Sequence, residues 1–137
     1  MSRSLQPEEF DAMLTLADIV RNHGRTRADD IAMLFEGRAT TFAALDRQSS
    51  QVANALIAAG VKPGDRIGYL GKNSDHYFEL WFAASKVGAI MVPIGWRLSP
   101  AEVAYIVDDT GASLLFVGAE CAACAEEALK QTQTQPR

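Results

Sequence analysis

The chain has 137 residues, 48% of them hydrophobic and 22% charged, with a formal net charge of −4. That is enough apolar chain for one domain with a core, and the acidic balance excludes a general affinity for nucleic acid or anionic membranes. No apolar run reaches bilayer-spanning length, the opening Met1 to Glu9 holds no apolar leader core, and two cysteines make no disulfide framework, so a soluble, cytoplasmic protein is expected.

Residues 1–10 are polar and predicted to be loosely held. Leu14, Leu16, Ile19 and Val20 predict a short amphipathic helix, with Thr15 or Asp18 near its start and Asn22-His23-Gly24 at its end. Arg25 to Asp30 reads as a charged loop. Ile31 to Phe35 and Arg38 to Phe42 read as strands joined at Glu36-Gly37, a hairpin signal. Thr41 is the expected cap of a long helix whose Leu45, Val52, Leu56 and Ile57 share a face, with Gly60 closing it.

Arg66 to Leu70 is a short, mostly apolar strand. Ser74 can cap the next helix, Asp75 suits the positive end of its dipole, and Tyr77, Leu80, Trp81, Ala84 and Val87 recur at helical spacing. Gly88 ends that helix, and Ala89 to Val92 is a fully apolar strand closed by Pro93. Strand, helix and strand in so few residues predict a βαβ unit with parallel strands. Gly95-Trp96-Arg97 is a loop. Ser99-Pro100-Ala101-Glu102 opens a helix with serine at the cap, proline in the first turn and glutamate three residues on. Val103, Ile106 and Val107 are its expected buried face, and Gly111 its stop. Ser113 to Val117 is a third parallel strand, Ala119 to Gln131 is helical by composition, and Thr132 to Arg137 is polar with nothing that looks packed. The expected fold is α/β over residues 1–137, a mainly parallel sheet with flanking helices, the N-terminal hairpin lying apart or at an edge.

Several groups invite a chemical reading. Gly71-Lys72-Asn73-Ser74 follows a strand and opens a helix, where phosphate often binds. The phosphate-loop spacing fails, however, because Arg66 and Asn73 stand where glycine and Ser/Thr would be needed. A tight turn with a serine cap is preferred. Cys121-Ala122-Ala123-Cys124 has redox-pair spacing at a helix start, but no second cysteine pair or His-x-x-His completes a zinc site, and a redox-silent pair is expected. His23 and His76 are isolated and read as surface residues. Asp29-Asp30, Asp108-Asp109 and Glu126-Glu127 are sequence neighbours, which on a helix diverge by roughly 100° and make no acid–base pair. Trp81 belongs to an apolar stripe, and Trp96 to a loop facing a pocket or interface. No residue is assigned a catalytic, cofactor-binding or metal-binding role.

An ordered set of short motifs runs through the middle of the chain. It comprises Lys62-Pro63-Gly64-Asp65-Arg66-Ile67, Asn73-Ser74, Ala83-Ala84, Gly88-Ala89, Val92-Pro93-Ile94, Arg97-Leu98, Glu102 and Tyr105-Ile106. With these, the stretch from about Leu14 to Val117 resembles the amino-terminal region of the adenylate-forming (AMP-binding) acyl-CoA synthetase and ligase superfamily. The resemblance implies a partial N-terminal domain of an acyl-CoA synthetase-like fold. The complete enzymes use ATP and Mg²⁺ to turn a carboxylate, such as a fatty acid, into an acyl-adenylate, then pass the acyl group to coenzyme A. The segments that carry this chemistry in the family lie later than these residues. The resemblance therefore implies an N-terminal portion, inactive and binding no cofactor by itself, or alternatively a non-catalytic interaction module of the same fold. Its implied partner is the remainder of the ligase large domain, or a second copy covering an apolar sheet face left bare. Gly95 departs from the asparagine of many acyl-CoA ligases and forgoes any hydrogen bond from that side chain.

Overall fold

The computed structural model describes residues 13–137, so the expectation for residues 1–10 lies outside the described residues. In chain order the elements are α1 (Leu16–Thr26), β1 (Ile31–Phe35), β2 (Arg38–Thr41), α2 (Phe42–Ala58), β3 (Arg66–Leu70) and α3 (Asp75–Val87). There follow β4 (Ile90–Ile94), α4 (Pro100–Thr110), β5 (Leu114–Val117), a 3₁₀ turn (Ala119–Cys121) and α5 (Ala122–Leu129).

β3 is the middle of a three-stranded sheet in the order β4-β3-β5. Both neighbours run parallel to it, with Ile67 opposite Met91 and Leu114, and Leu70 opposite Ile94 and Val117. Side chains alternate across the sheet, so Ile67 and Leu70 serve different cores. Ile67 packs with Ala53 and Leu56 of α2 and Leu80, Ala83 and Ala84 of α3. Leu70 packs with Ile94, Val103 and Val107 and with Ala125 and Ala128 of α5. Helices thus cover both faces, as a parallel sheet requires. The expected bare apolar face is corrected here: α2 with α3, and α4 with α5, supply both layers from within the chain. What stays open is the outer edge of β4, and of β5 beyond its pairing with Arg137. Gly68 leaves room for the side chain of its neighbour across the sheet, since a Cβ there would lie 2.8 Å from Leu115 Cδ1.

The hairpin forms its own two-stranded antiparallel sheet, as expected, with Leu34 opposite Ala39 and Phe35 opposite Arg38. Glu36 and Gly37 both have positive φ, 47° and 79°, the pair that a tight hairpin turn demands. α1 packs across α2 and α3.

The helix signals hold at most termini. Thr15 and Asp18 form a reciprocal capping box, as do Ser99 and Glu102; Thr41 and Ser74 cap α2 and α3, and Gly88 takes the left-handed conformation at φ 74°. Four boundaries or faces differ. α1 continues through Gly24 to Thr26, because the missing side chain lets α2 approach: a Cβ at Gly24 would lie 3.0 Å from Asp46 Cβ. Pro93 lies inside β4 rather than closing it, which an edge strand tolerates where the absent N–H would face outward. On α2, Ile57 is exposed while Ser49 is fully buried with its hydroxyl donating to Leu45 O at 2.7 Å. Finally, Thr132 to Arg137 is held in place. Thr132 is buried, the Gln133 and Thr134 N–H groups donate to the Asp108 carboxylate, and Arg137 pairs with β5.

Candidate functional site

The loops at the carboxyl ends of the three parallel strands gather on one side of the domain, the side where open α/β sheets bind ligands. After β3, Gly71-Lys72-Asn73 turns toward the Ser74 cap; the Tyr69 hydroxyl donates to Lys72 O at 2.9 Å and steadies the turn. After β5, the Gly118 N–H donates to Leu70 O at 2.8 Å, and the Glu120 carboxylate accepts the Lys72 N–H at 2.9 Å. That hydrogen bond holds the Glu120 carboxyl below its ordinary range. After β4, Trp96 is flanked by two cations: Lys72 Nζ lies 4.8 Å and Arg97 Cζ 4.5 Å from the ring centroid. Such contacts are weak in the open, and Trp96 is 41% exposed. A cavity of about 660 Å³ opens between this turn, α2, α3 and the end of β5, with Val52, Leu80, Phe116 and Val117 as its apolar wall. A second, of about 450 Å³, lies between the hairpin and α3 and is lined by Phe35, Phe42, Phe78 and Phe82.

The groups singled out in the sequence fall on these features unevenly. The Gly71–Ser74 turn is a serine-capped turn. Glu120 accepts its Lys72 N–H, and the buried Asp75 carboxylate takes the His76 N–H at 3.1 Å. Two of the N–H donors at this turn thus already face carboxylates. Cys121 is buried and Cys124 half-buried, both as free thiols. Burial, the Glu120 carboxylate and Cys124 push the Cys121 thiol up, the opposite of a reactive thiol. His76 is exposed and contacts Glu79 at 3.2 Å. His23 is not a surface residue: α1 continues past it and lays its ring 4.9 Å from Phe42, with 8% exposure. Asp30 pairs with Arg27 and Glu127 with Lys130, each partner three residues away along the chain. Trp81 is half-buried in a row of rings with Tyr77, Phe78 and Phe82. At Gly95 a Cβ would stand 3.3 Å from Leu98 Cγ, so the glycine suits a tight loop.

Sequence reading missed the long-range polar ties: Arg38 to Asp75, Lys86 to Asp46, and Glu120 to the Lys72 N–H. Each joins residues at least 37 positions apart, and no local pattern announces them. Among the described residues no group of three His, Cys, Asp or Glu side chains could hold a metal ion. No step of adenylation is assigned to these residues.

Comparison with known proteins gives a consistent result. The model of the family described as AMP-binding enzyme matches residues 20–137. A fatty acid–[acyl-carrier-protein] ligase, ScoC, of Streptomyces coeruleorubidus is 45% identical over 103 residues, 75% of this chain and 20% of the ligase. A feruloyl-CoA synthase of an Amycolatopsis species is 47% identical over 80 residues, 58% of this chain and 16% of the synthase. The chain thus spans about a fifth or less of these relatives. Among solved structures, the anthranilate CoA ligase AuaEII, in complex with anthranoyl-AMP, superposes with a TM-score of 0.84 at 28% identity, covering 96% of this chain and 25% of that one. The N-terminal domain of FACL13 from Mycobacterium tuberculosis superposes with a TM-score of 0.77 at 26% identity, covering 89% of this chain and 31% of that one.

Proposed function

The chain belongs to the AMP-binding enzyme family, and from that premise we propose that it is the N-terminal portion of an ATP-dependent carboxylic-acid–CoA ligase. In the complete enzyme a carboxylate is activated as its acyl-adenylate and then transferred to coenzyme A. This portion supplies scaffold rather than chemistry. The observation that carries the reading is the family match over residues 20–137 on a fold shared with acyl-CoA ligases. The donor atoms at the carboxyl ends of the strands support the scaffold role. Nucleotide chemistry needs phosphate-facing donors, cations and a metal, and here Glu120 and Asp75 each take one of the turn's N–H groups. ATP, Mg²⁺, coenzyme A and the acid are accordingly bound by the remainder of the enzyme, which is this chain's partner. A cytoplasmic setting, where ATP and coenzyme A are at hand, goes with this reading.

The test is carboxylate-dependent exchange of pyrophosphate into ATP with a panel of fatty and aromatic acids. The isolated chain is expected to give none. A chimera in which this chain replaces the matched region of the ScoC ligase is expected to retain exchange. Exchange by the isolated chain, or a folded chimera without any, would overturn the proposal.

A further inference from the structure

The hairpin stands apart from both cores. No residue of β1 or β2 is buried, whereas each strand of the parallel sheet has at least one buried residue. The residues packed around Ile67 and around Leu70 include none from the hairpin. Between β1 and α3 lies the cavity of about 450 Å³, with Phe78 and Phe82 on the helix side and Met33 and Phe35 on the strand side. A two-stranded hairpin is marginal by itself in water, so its stability depends on its attachments. At its root the Phe42 N–H donates to Asp30 O at 3.0 Å and the Ala43 N–H to Ala28 O at 3.1 Å. The pairing register shifts there, between Ile31 and Met33, and such a bulge bends a strand. At the turn end Arg38 Nη2 donates to Asp75 Oδ2 at 2.9 Å, and Arg38 Cζ lies 5.5 Å from the Phe35 ring centroid, which braces the arginine from within the hairpin. Among the described residues no backbone hydrogen bond joins residues 31–41 to α3 or the parallel sheet, and Arg38 to Asp75 is their only side-chain tie to either.

We propose that the hairpin is a flap, hinged at its root beside the Ile31–Met33 bulge and latched at its turn end by Arg38 on Asp75. It opens as a unit while the parallel sheet and its two helical layers stay folded, a sub-global opening distinct from unfolding of the whole chain. Phe35 gives the movement a consequence. With Asn73 and Ser74 it lines both the cavity of about 450 Å³ and the one of about 660 Å³. Lifting the flap takes Phe35 out of that shared wall and joins the two cavities, so the latch governs passage between them. The latch is a charge-assisted contact through two guanidinium nitrogens, the stronger kind, yet the Arg38 side chain is 56% exposed. Salt therefore weakens it, and the flap opens more often at high ionic strength.

Amide hydrogen exchange of the full chain tests this, with the hydrogen-bonded amides of residues 31–41 read against those of β3. In the wild type the hairpin amides are expected to exchange roughly tenfold or more faster than the β3 amides. Arg38→Ala is expected to speed the hairpin by a further factor of roughly ten and to leave β3 unchanged. Hairpin and β3 amides that exchange at one common rate in the wild type would overturn the proposal, because the two would then open together. So would an Arg38→Ala chain in which both speed up alike, or in which the hairpin does not speed up at all. Should Arg38→Ala not fold, the wild type taken from about 0.1 M to about 1 M salt supplies the same comparison. Faster hairpin exchange with β3 constant is then expected, and a hairpin indifferent to salt would count against the latch.

Discussion

Arg38 holds Asp75 with the Nε–Nη2 edge of its guanidinium: Nη2 lies 2.9 Å from Oδ2 and 3.1 Å from Oδ1, and Nε 3.1 Å from Oδ2. Arg38 opens the second hairpin strand and Asp75 is the first residue of α3, so the pair ties the separate hairpin to the helix beside the parallel sheet. The Asp75 side chain is 8% exposed and that of Arg38 56%. Burial pushes the Asp75 carboxyl up, but the hydrogen bonds from Arg38 and from the His76 N–H outweigh it, and its net acidity lies below the ordinary range.

Replacing Arg38 therefore leaves a buried carboxylate with its main partner gone. Arg38→Ala is expected to cost about 1–3 kcal/mol at neutral pH, the range for stranding a buried polar group, read from urea unfolding. The pH dependence follows from the sign of the shift. A carboxyl lowered in the folded state contributes stability above its unfolded value, near 3.9, and loses it as pH falls through the lower folded value. The gap between wild type and variant should close in acid, and a gap that is constant from neutral pH to acid would refute this role for the pair.

Lys86 makes the second long-range tie, between α3 and α2. Its side chain is 4% exposed, and Nζ donates to Asp46 Oδ1 at 2.6 Å, Asp46 O at 2.8 Å and Ser50 Oγ at 2.8 Å. Lys86→Met keeps the apolar stem and removes all three bonds. Because Asp46 remains 30% exposed and can recover water, the expected loss is about 2–3 kcal/mol, below the full cost of a stranded buried ion. An unchanged midpoint in urea would mean that the cluster contributes nothing net.

Where a signal is local the sequence reads true, and where it depends on a distant partner it does not. Ser74, Ser99 and Thr41 cap their helices because a cap needs only its own first turn. Ile67 to Leu70 and Ala89 to Val92 are mostly apolar, which suffices to place them as parallel strands of one sheet. His23 goes astray because its burial is decided by Gly24, which lets α2 come close to α1. The coverage of the sheet was misjudged because α5 looks no different in sequence from a surface helix until it packs on α4. Pro93 reads as a strand end, yet it is a strand residue on an edge. Glu120 carried no signal as a ligand of the Lys72 N–H, since only the parallel register of β3 and β5 brings the two loops together.

The cysteine pair should be chemically quiet. With the Cys121 thiol buried and pushed up by that burial and by Glu120, the thiolate is scarce at neutral pH. Alkylation by iodoacetamide, followed by mass spectrometry, is expected to modify Cys121 far more slowly than a free cysteine, with half-buried Cys124 reacting first. A Cys121 that reacts readily near pH 7, or one equivalent of tightly held zinc, would overturn this.

The Asp108 carboxylate fixes the segment that carries Arg137 to the sheet. It accepts the Gln133 N–H at 3.0 Å and the Thr134 N–H at 2.8 Å. These bonds, Gln133 first, hold its carboxyl below the ordinary range. Asp108→Ala should release the segment and with it the Leu115 to Arg137 bond. Leu115 amide exchange is then expected to speed up by roughly tenfold or more, while the Gly118 amide, bonded to Leu70 O inside the sheet, keeps its rate. The wild-type protection at Leu115 is present above the unfolded carboxyl value of about 3.9 and lost as pH falls through the lower folded value. Compared at each pH, wild type and variant should therefore converge only in strong acid. If Leu115 exchanges equally in both at neutral pH, Asp108 does not hold the segment, and the Arg137 side chain on Ala59 O holds it instead.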